Sequence, residues 1–401
     1  MYRAYIKTAF FALLFTVFSG TVNAQEDHGH DNHTTEADGG RVNSKEEINA
    51  YIKHHLKDAH DFHLFSYTND AGERKHVGFP LPVIVWTSEG LRTFMSSEFH
   101  HDDDGKVLVQ KDGVTLTKLH SKIYELDNGA TTVAFDEEHH PTNAHKVLDF
   151  SITKSVFGIL VTGLILLLLF GGLAKQYKKK NIPTGFGRVL EPLVIYVRDE
   201  IARPNIGEKK YRRFMPYLLT VFFFIWILNL LGLTPIGFNV TGQIAVTACL
   251  AIFTAIIYLF SGTKEFWGHT LWMPGVPVLL RPILAVIELV GYVLIKPFSL
   301  LVRLFANITA GHFVVMSLIA LMITLKESFG PVGSTGLSLV LALFIMVIEL
   351  LVAFLQAFIF TMLSSLFIGM AVEEHDHHHD EEHEDEILTQ GEVEETRERF
   401  V

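Results

Sequence analysis

The chain has 401 residues, of which 49% are hydrophobic, and its formal net charge is −11. Uncharged apolar runs exclude a purely soluble protein, because about 20 apolar residues in a helix can cross a bilayer, and the negative charge belongs to the tails. Cys249 lies within an apolar run and is expected to serve packing. Because it is the single cysteine, a disulfide within the chain and a cysteine-based metal site are excluded.

Residues 1–24 have the pattern of a secretory signal peptide. Arg3 and Lys7 precede a short apolar stretch, and small residues end at Ala24. This order predicts cleavage after Ala24 and a mature N-terminus in the periplasm. The alternative is an uncleaved anchor helix, although the apolar stretch is short for a membrane span.

Residues 25–150 are predicted to form a small β-rich periplasmic domain. The region begins with a His- and Asp-rich stretch that is expected to be disordered, and a helix-like segment lies near residues 44–63. The alternating segment 106–118 contains an Asp-Gly pair typical of a β-hairpin turn. Residues 82–86 and 131–135 are further strand candidates.

Residues 151–375 are predicted to form an all-α membrane domain with five membrane-crossing helices. Residues 155–174 are uncharged, and residues 215–263 contain no Lys, Arg, Asp, Glu or His, with a break at 235–242 that predicts two helices joined by a turn. Residues 185–206 predict an amphipathic helix along the cytoplasmic face. Prolines and tryptophans in residues 262–282 predict an interfacial connection.

The last two predicted spans form a long, tilted antiparallel helix hairpin. A tight loop at residues 330–336 is expected to join them, since this segment is rich in Gly and contains Pro. The chain then ends in an acidic, His-rich segment, residues 376–401, which is predicted to be a cytoplasmic tail.

Basic residues predict the orientation of these spans. They follow the first span and precede the second, at Lys175, Lys178, Lys179, Lys180, Lys209, Lys210, Arg212 and Arg213. The positive-inside rule makes this loop cytoplasmic. Five crossings then lead from a periplasmic N-terminus to a cytoplasmic C-terminus.

Arg303 is the most informative residue, because it is the only Arg or Lys between Lys296 and Lys326. A guanidinium cannot lose its proton in a protein, and its insertion at the centre of a membrane helix costs roughly 2.5–3.5 kcal/mol. At about 100° per residue, Ser299, Arg303 and Asn307 follow one line with Lys296. This polar stripe indicates function, whereas an Arg that snorkels to the interface is the alternative.

The membrane region resembles the a subunit of F-type ATP synthases. The matching motifs are Arg303-Leu-Phe-Ala-Asn307-Ile-Thr-Ala-Gly-His312, Lys296-Pro-Phe-Ser, Phe214-Met-Pro-Tyr, Asn229-Leu-Leu-Gly-Leu-Thr-Pro, Leu355-Gln356-Ala-Phe-Ile-Phe and Met370-Ala-Val-Glu-Glu-His375. The resemblance covers residues 150–375. It implies a non-catalytic, multi-pass subunit of the bacterial inner membrane that conducts protons through two half-channels to and from the carboxylates of a c-ring and so drives rotary ATP synthesis. The implied partners are the c-ring, the b subunit of the stator stalk and membrane lipid; no nucleic acid or cofactor is expected.

Two polar pairs are predicted to face each other across the hairpin. In antiparallel helices the residue numbers of facing positions add to a nearly constant value, and Arg303 with Gln356 and His312 with Glu349 nearly share that value. Arg303 and Gln356 would lie at the depth of the c-ring carboxylate. His312 and Glu349 would exchange protons nearer the periplasm, or, as the alternative, form a buried structural pair. In some members of the family the acid and the imidazole are interchanged.

Further polar residues have weaker assignments. Asn307 and Ser299 would either satisfy the donors of Arg303 or line a half-channel. Glu288 is expected at the cytoplasmic exit and Asn229 at the periplasmic access path, and Lys296 is expected to snorkel. The sequence does not distinguish H⁺ from Na⁺ as the ion.

Histidines cluster in two stretches and raise a rival hypothesis, a metal-ion transporter. The clusters contain His28, His30 and His33, and then His375, His377, His378, His379 and His383. They lack regular ligand spacing, so a solvated arm and tail are expected instead of metal sites. A transporter would need His and carboxylate ligands repeated on neighbouring spans, and the fixed cation Arg303 argues against it. A purely structural scaffold would leave the polar stripe unexplained.

Overall fold

A computed structural model describes residues 58–68, 74–100, 102–127, 130–136, 141–179, 185, 187–234, 239–272 and 275–373. The predicted signal peptide, the His-rich arm and the acidic tail lie outside the described residues, as do residues 44–57 of the predicted helix. Side chains are not described for several residues between 312 and 331, His312 among them.

The region before the first membrane helix is built from short strands. In order they are β1 (Asp61–Thr68), β2 (Arg74–Pro80), β3 (Pro82–Thr87), β4 (Gly90–Met95), β5 (Asp104–Lys111), β6 (Val114–Leu119), β7 (Lys122–Leu126), β8 (Ala144–Lys146) and β9 (Leu148–Asp149). They pair in antiparallel fashion into sheets of order β1-β2, β4-β3-β9 and β5-β6-β7-β8. Val83 and Val85 alternate along β3 with completely buried side chains, as expected for a strand with one face in a core.

The predicted hairpin at residues 106–118 is confirmed by the pairing of β5 with β6. Its turn lies at Asp112 and Gly113, whose φ angles are 46° and 89°. A two-residue hairpin turn of this kind needs positive φ at both positions, and Asp followed by Gly adopts it readily. The predicted strand at residues 82–86 is confirmed as β3.

Two predictions in this region are wrong. Residues 61–63, the described end of the helix predicted near 44–63, belong to β1, where Phe62 stacks on Phe79 of β2 with ring centroids 4.6 Å apart. Residues 131–135 form only an isolated bridge. The Asn143 side chain accepts a hydrogen bond from Ala134 N at 2.7 Å and donates one to Thr132 O at 2.8 Å, so it replaces the bonds of a neighbouring strand.

The rest of the described chain is mainly helical, with short turns between the helices. The helices are α1 (Lys154–Lys179), α2 (Gly187–Tyr196), α3 (Arg203–Ile206), α4 (Tyr211–Gly232), α5 (Ile244–Ser261), α6 (Lys264–Leu271), α7 (Arg281–Val290), α8 (Lys296–Thr324) and α9 (Lys326–Val372). Wider π-helical turns connect α2 to α3 at Val197–Ala202 and α7 to α8 at Gly291–Ile295.

The prediction of five spans is confirmed for the described residues. Five segments are long and apolar enough to cross a membrane: Lys154–Lys178, Tyr211–Gly232, Ile244–Ser261, Arg281–Gly311 and Val332–Val372. Their shared core holds Leu218, Phe222, Leu304 and Phe360, all nearly inaccessible to solvent. In a bilayer such side chains hold helices together by close van der Waals packing, because lipid tails are as apolar as the core.

The helix predicted over residues 185–206 is present as α2, the first π turn and α3. Its buried face packs on α9, where Ser365 donates a hydrogen bond of 2.9 Å to the Ile201 carbonyl. Gly369 passes so close that a Cβ there would lie 1.8 Å from the Asn205 carbonyl oxygen. Its position along a membrane face stays a prediction.

The turn of the long hairpin lies earlier than expected. The loop was predicted at residues 330–336, but α8 ends at Thr324, α9 begins at Lys326 and the chain bends again at Gly330, so residues 331–336 are helical. Gly330 has φ 69° and ψ 170°, a conformation that suits glycine. The proline that follows begins a helix well, because its missing N–H would have no helical partner there.

The strand region is joined directly to one end of the helical region. Asp58 accepts a hydrogen bond of 2.9 Å from Ser155 N and so caps the start of α1. Phe62 and Leu81 pack with Leu228 and Val246, near the end of α4 and the start of α5. The basic residues 209–213 lie at the opposite end of α4, so strands and basic loop occupy opposite ends of the helices.

Candidate functional site

Arg303 lies on the outer face of α8. Leu300 and Leu304, on the other face, are buried in the helical core, whereas Ser299 and Asn307 are exposed and Arg303 is partly exposed. Within the described part of the chain, no hydrogen bond or ion pair joins Arg303 to another residue. No described side chain therefore pairs with this permanent charge on a membrane-length helix.

Gln356 of α9 pairs with Asn307, one turn beyond the expected partner Arg303. Asn307 Nδ2 donates a hydrogen bond of 2.7 Å to Gln356 Oε1. Gln356 is only 1% exposed, and its Nε2 atom has no hydrogen-bond partner among the described residues. The predicted partner of Gln356 was Arg303, and the observed partner is Asn307. The two short amide side chains match donor to acceptor at the contact between α8 and α9, here called the seam, while the longer guanidinium stays partly exposed.

Glu349 lies beside the backbone that carries His312. A Cβ built on Gly311 would be 2.7 Å from Glu349 Oε1, so the absence of a side chain at Gly311 makes room for the carboxylate. This oxygen is buried and has no hydrogen-bond partner in the described residues. The structure thus brings Glu349 to the level of Gly311 and His312, as the predicted register requires. It does not describe the imidazole.

Lys296, at the start of α8, is half-buried against aromatic rings. Its Nζ atom lies 3.5 Å from the ring centroid of Tyr292 and 5.1 Å from that of Phe367. Cation–π contacts of this kind stabilise a partly desolvated ammonium. Lys296 therefore has a fixed position at the end of the polar stripe, where simple snorkelling was expected.

Glu288 lines a cavity of about 170 Å³ at the end of the helices that carries the basic loop. The other walls are formed by Glu265, Phe266, His269, Thr270, Tyr292, Met370 and Glu373. Glu288 Oε2 is buried without a hydrogen-bond partner among the described residues. Sequence reasoning missed Glu265 and His269; their spacing of four on the short helix α6 puts them on one face and was the available signal.

Asn229 is buried at the other end, close to the strands. Its Nδ2 donates to the Ala353 carbonyl at 3.3 Å, and its Oδ1 accepts from Thr241 Oγ1 at 2.9 Å. The side chain is 4% exposed and ties α4 to α9. Thr241 was not expected from the sequence, nor were the buried hydroxyls of Thr309 and Ser338, which have no hydrogen-bond partner in the described part.

The described residues contain no group of three or more His, Cys, Asp or Glu side chains placed to hold a metal ion. The His-rich stretches of the arm and tail lie outside them. Cys249 is buried in α5, in agreement with the expected packing role.

The ATP synthase A chain family model matches residues 156–369, which include every polar residue of the seam between α8 and α9 described above. The chain belongs to the ATP synthase A chain family. A second match, to a domain of unknown function called DUF8433, covers residues 51–150, and no role for the strand region follows from it.

Curated relatives carry the same family name. The ATP synthase subunit a of Chloroherpeton thalassium is 46% identical over 212 residues, 51% of this chain and 61% of the relative. The ATP synthase subunit a 2 of Chlorobaculum tepidum is 41% identical over 241 residues, 56% of this chain and 64% of the relative. The ATP synthase subunit a of an Anaeromyxobacter species is 43% identical over 213 residues, 50% of this chain and 51% of the relative. The chain thus matches about half to two thirds of the length of these A chain relatives.

Proposed function

We propose that this chain is the ion-translocating stator channel subunit of an F-type ATP synthase. It conducts protons through two offset half-channels to and from carboxylates of a rotating c-ring, and it catalyses no bond chemistry itself. The c-ring and the b subunit of the stator stalk are its proposed partners. Support comes from the family membership and from relatives named ATP synthase subunit a.

The observation that carries the proposal is Arg303 on the outer face of α8, which no described residue pairs by a hydrogen bond or an ion pair. A partly exposed guanidinium within a membrane-length helix needs an anion from a neighbouring molecule. A carboxylate on a helix of the c-ring supplies that charge when the ring brings it alongside. The guanidinium then favours the ionised carboxylate, which releases its proton, and its own fixed charge repels protons that would leak directly between the half-channels.

Acidic residues on opposite sides of Arg303 support two separate access paths. Asn229, close to the strand end, bonds Ala353, and Glu349 lies one turn farther along α9 toward the strands. Glu288 lies toward the opposite end, in the cavity shared with Glu373. Protons enter past Glu349 and His312, with Asn229 lining the access path, and leave past Glu288. A membrane potential of 100 mV supplies about 2.3 kcal/mol for each charge moved.

The orientation is part of the same proposal. The strand region faces the periplasm and the basic loop faces the cytoplasm of a bacterial inner membrane, since lysines and arginines are retained on the cytoplasmic side. The position of strands and basic loop at opposite ends of the helices supports this arrangement. The predicted signal peptide agrees with export of the N-terminal region.

Replacement of Arg303 tests the proposal. Inverted membrane vesicles carrying Arg303→Ala should lose ATP-driven proton pumping and proton-driven ATP synthesis by about 100-fold or more, the scale of loss for a positioned charge. Arg303→Lys should also fail largely, because an ammonium has a different reach and is more strongly hydrated. Arg188→Ala, which removes an exposed cation of α2, is the matched control and should stay near normal. Near-normal synthesis with either Arg303 variant contradicts the mechanism.

A further inference from the structure

A basic pocket, distinct from the seam, lies where three helix ends meet. It encloses about 440 Å³ between the start of α4, the end of α5 and the end of α9. Its lining residues are Lys209, Lys210, Arg212, Arg213, Phe214, Ser261, Thr263 and Val372. Four cations and two hydroxyl groups therefore surround one cavity, and no carboxylate lines it.

Backbone contacts hold the walls of the basic pocket together. Lys210 Nζ donates a hydrogen bond of 2.7 Å to the Val372 carbonyl at the end of α9. Thr263 N donates one of 2.9 Å to the Ala371 carbonyl. Both bonds join segments far apart in sequence, so the pocket is a preformed feature of the packed helices.

The remaining cations of the pocket have no ion pair within the described residues. Arg213 lies over the Phe214 ring at 5.5 Å, and Arg212 Nε donates to the Tyr211 hydroxyl at 3.4 Å. The nearest acid along the chain, Glu208, pairs with Arg203 at 3.2 Å instead. The N-terminus of α4 also opens here without a side-chain cap, and the positive end of its helix dipole favours an anion.

We propose that the basic pocket binds the phosphate of an anionic phospholipid. Basic pockets between membrane helices on the cytoplasmic side suit such headgroups. A lipid is favoured over free phosphate because Phe260, the chain neighbour of the lining residue Ser261, is 87% exposed and offers an apolar surface to an acyl chain. Lys175 and Lys178 at the end of α1 are also exposed cations, but they do not line the basic pocket.

Native mass spectrometry of the full chain, purified in detergent and titrated with phosphatidylglycerol or phosphatidylcholine, tests the proposal. The wild type should hold one phosphatidylglycerol at least tenfold more tightly than phosphatidylcholine. The double variant Arg212→Gln/Arg213→Gln should bind it about 30-fold more weakly, as expected for two interfacial cations. Lys175→Gln/Lys178→Gln removes the same charge outside the pocket and is the matched control.

A charge-conserving variant and a competition with inorganic phosphate complete the test. Arg212→Lys/Arg213→Lys keeps the charge and should keep most of the binding, which separates lost charge from misfolding. Inorganic phosphate at millimolar concentration should leave the bound lipid in place; if it displaces the lipid, the pocket is a site for free phosphate and the lipid proposal is wrong. Equal weakening in the pocket variant and the α1 control would also overturn it, because binding would then follow net charge alone.

Discussion

Asn307 of α8 and Gln356 of α9 form a side-chain hydrogen bond between the two helices, with a donor–acceptor distance of 2.7 Å. The bond lies one turn from Arg303, and it joins an exposed residue to one that is almost completely buried. It therefore fixes the two helices relative to each other beside the unpaired guanidinium. We infer that the amide pair fixes the position of Arg303 on α8 relative to α9.

Asn307→Ala should lower the free energy of unfolding by about 1–3 kcal/mol, because it leaves the buried Gln356 amide without its partner. Asn307→Ala combined with Gln356→Leu should recover most of this loss, since no buried polar group is then left unpaired. Thermal unfolding of the purified protein is the measurement, with Ser299→Ala, exposed on the same stripe, as control. Equal effects of Asn307→Ala and Ser299→Ala would show that the bond does not stabilise the seam.

His312 and Glu349 should behave as one proton-handling unit in vesicle assays. His312→Ala and Glu349→Ala should each impair ATP synthesis, and the combined effect should be far from additive, as for contacting groups. His312→Glu alone places two like charges together, and the interchange with Glu349→His should recover the activity that it loses. If the interchange is no better than the worse single variant, the assignment of this access path fails.

Gly369→Ala should destabilise the packing of α3 on α9. Its Cβ would lie 1.8 Å from a backbone oxygen of Asn205, which cannot move without shifting the helix, and such overpacking costs about 1–3 kcal/mol. Gly172→Ala is the control, because a Cβ there meets nothing within 4 Å, and it should be neutral or slightly stabilising. Amide hydrogen exchange of Arg203, Asn205 and Ile206 should rise in the first variant only.

The His60–Asp149 pair should make the strand region sensitive to acid. Burial raises the pKa of Asp149, but the 2.6 Å hydrogen bond to His60 and the charge of that ring outweigh it and hold the pKa below the ordinary value of 3.8. A lowered pKa in the folded state contributes stability above the ordinary value that is lost as the pH falls through the folded value. Asp149→Asn should therefore destabilise β3 and β9 by about 1.5–3 kcal/mol at pH 7, and the difference should shrink below the ordinary pKa of 3.8 and vanish only when the pH is below the lowered pKa of Asp149.

Asp58 provides the contrast for that measurement. Burial raises its pKa despite the hydrogen bonds from Ser155 and Thr153. Its ionised form is therefore disfavoured in the folded protein above the raised pKa, and this penalty disappears in acid. Asp58→Asn should leave stability at pH 7 unchanged or higher, as followed by hydrogen exchange of the same strands. A loss at pH 7 equal to that of Asp149→Asn would contradict the assignment of opposite roles.

The membrane spans could be predicted from the sequence because their apolar runs exceed the length that a bilayer needs. The hairpin around Asp112 could be predicted because its turn depends on two adjacent residues. Local patterns failed where a distant group decided the structure. The side chain of Asn143 bonds the backbone of Thr132 and Ala134 in place of a neighbouring strand. Residues 61–63 are in a strand because they pair with β2.

The candidate site divides in the same way. Arg303 was singled out by its charge alone. The register paired Glu349 with His312, and the structure brings Glu349 next to the neighbouring Gly311, so the pairing with the imidazole stays a prediction. The partner of Gln356 could not be predicted, because a one-turn difference depends on side-chain length and on how α8 and α9 tilt. The Glu288 cavity depends on α6 and α9 meeting in space, which no spacing along the chain records.

The π turn at Gly291–Ile295 bears on how the length of this region can vary. Such a turn holds one residue more than the α-helical turn it replaces. The side chains of α7 therefore point, relative to α8, in the directions that they would have in a regular α-helix with one residue fewer. At about 100° per residue, Glu288 then faces within about 40° of Arg303, whereas an unbroken α-helix of the same length would rotate it about 60° the other way. Deletion of one residue from the π turn should give a regular α-helix in which Glu288 keeps the same direction relative to Arg303. The spacing between Glu288 and Arg303 should therefore tolerate a change of one residue without a change in the direction of either side chain.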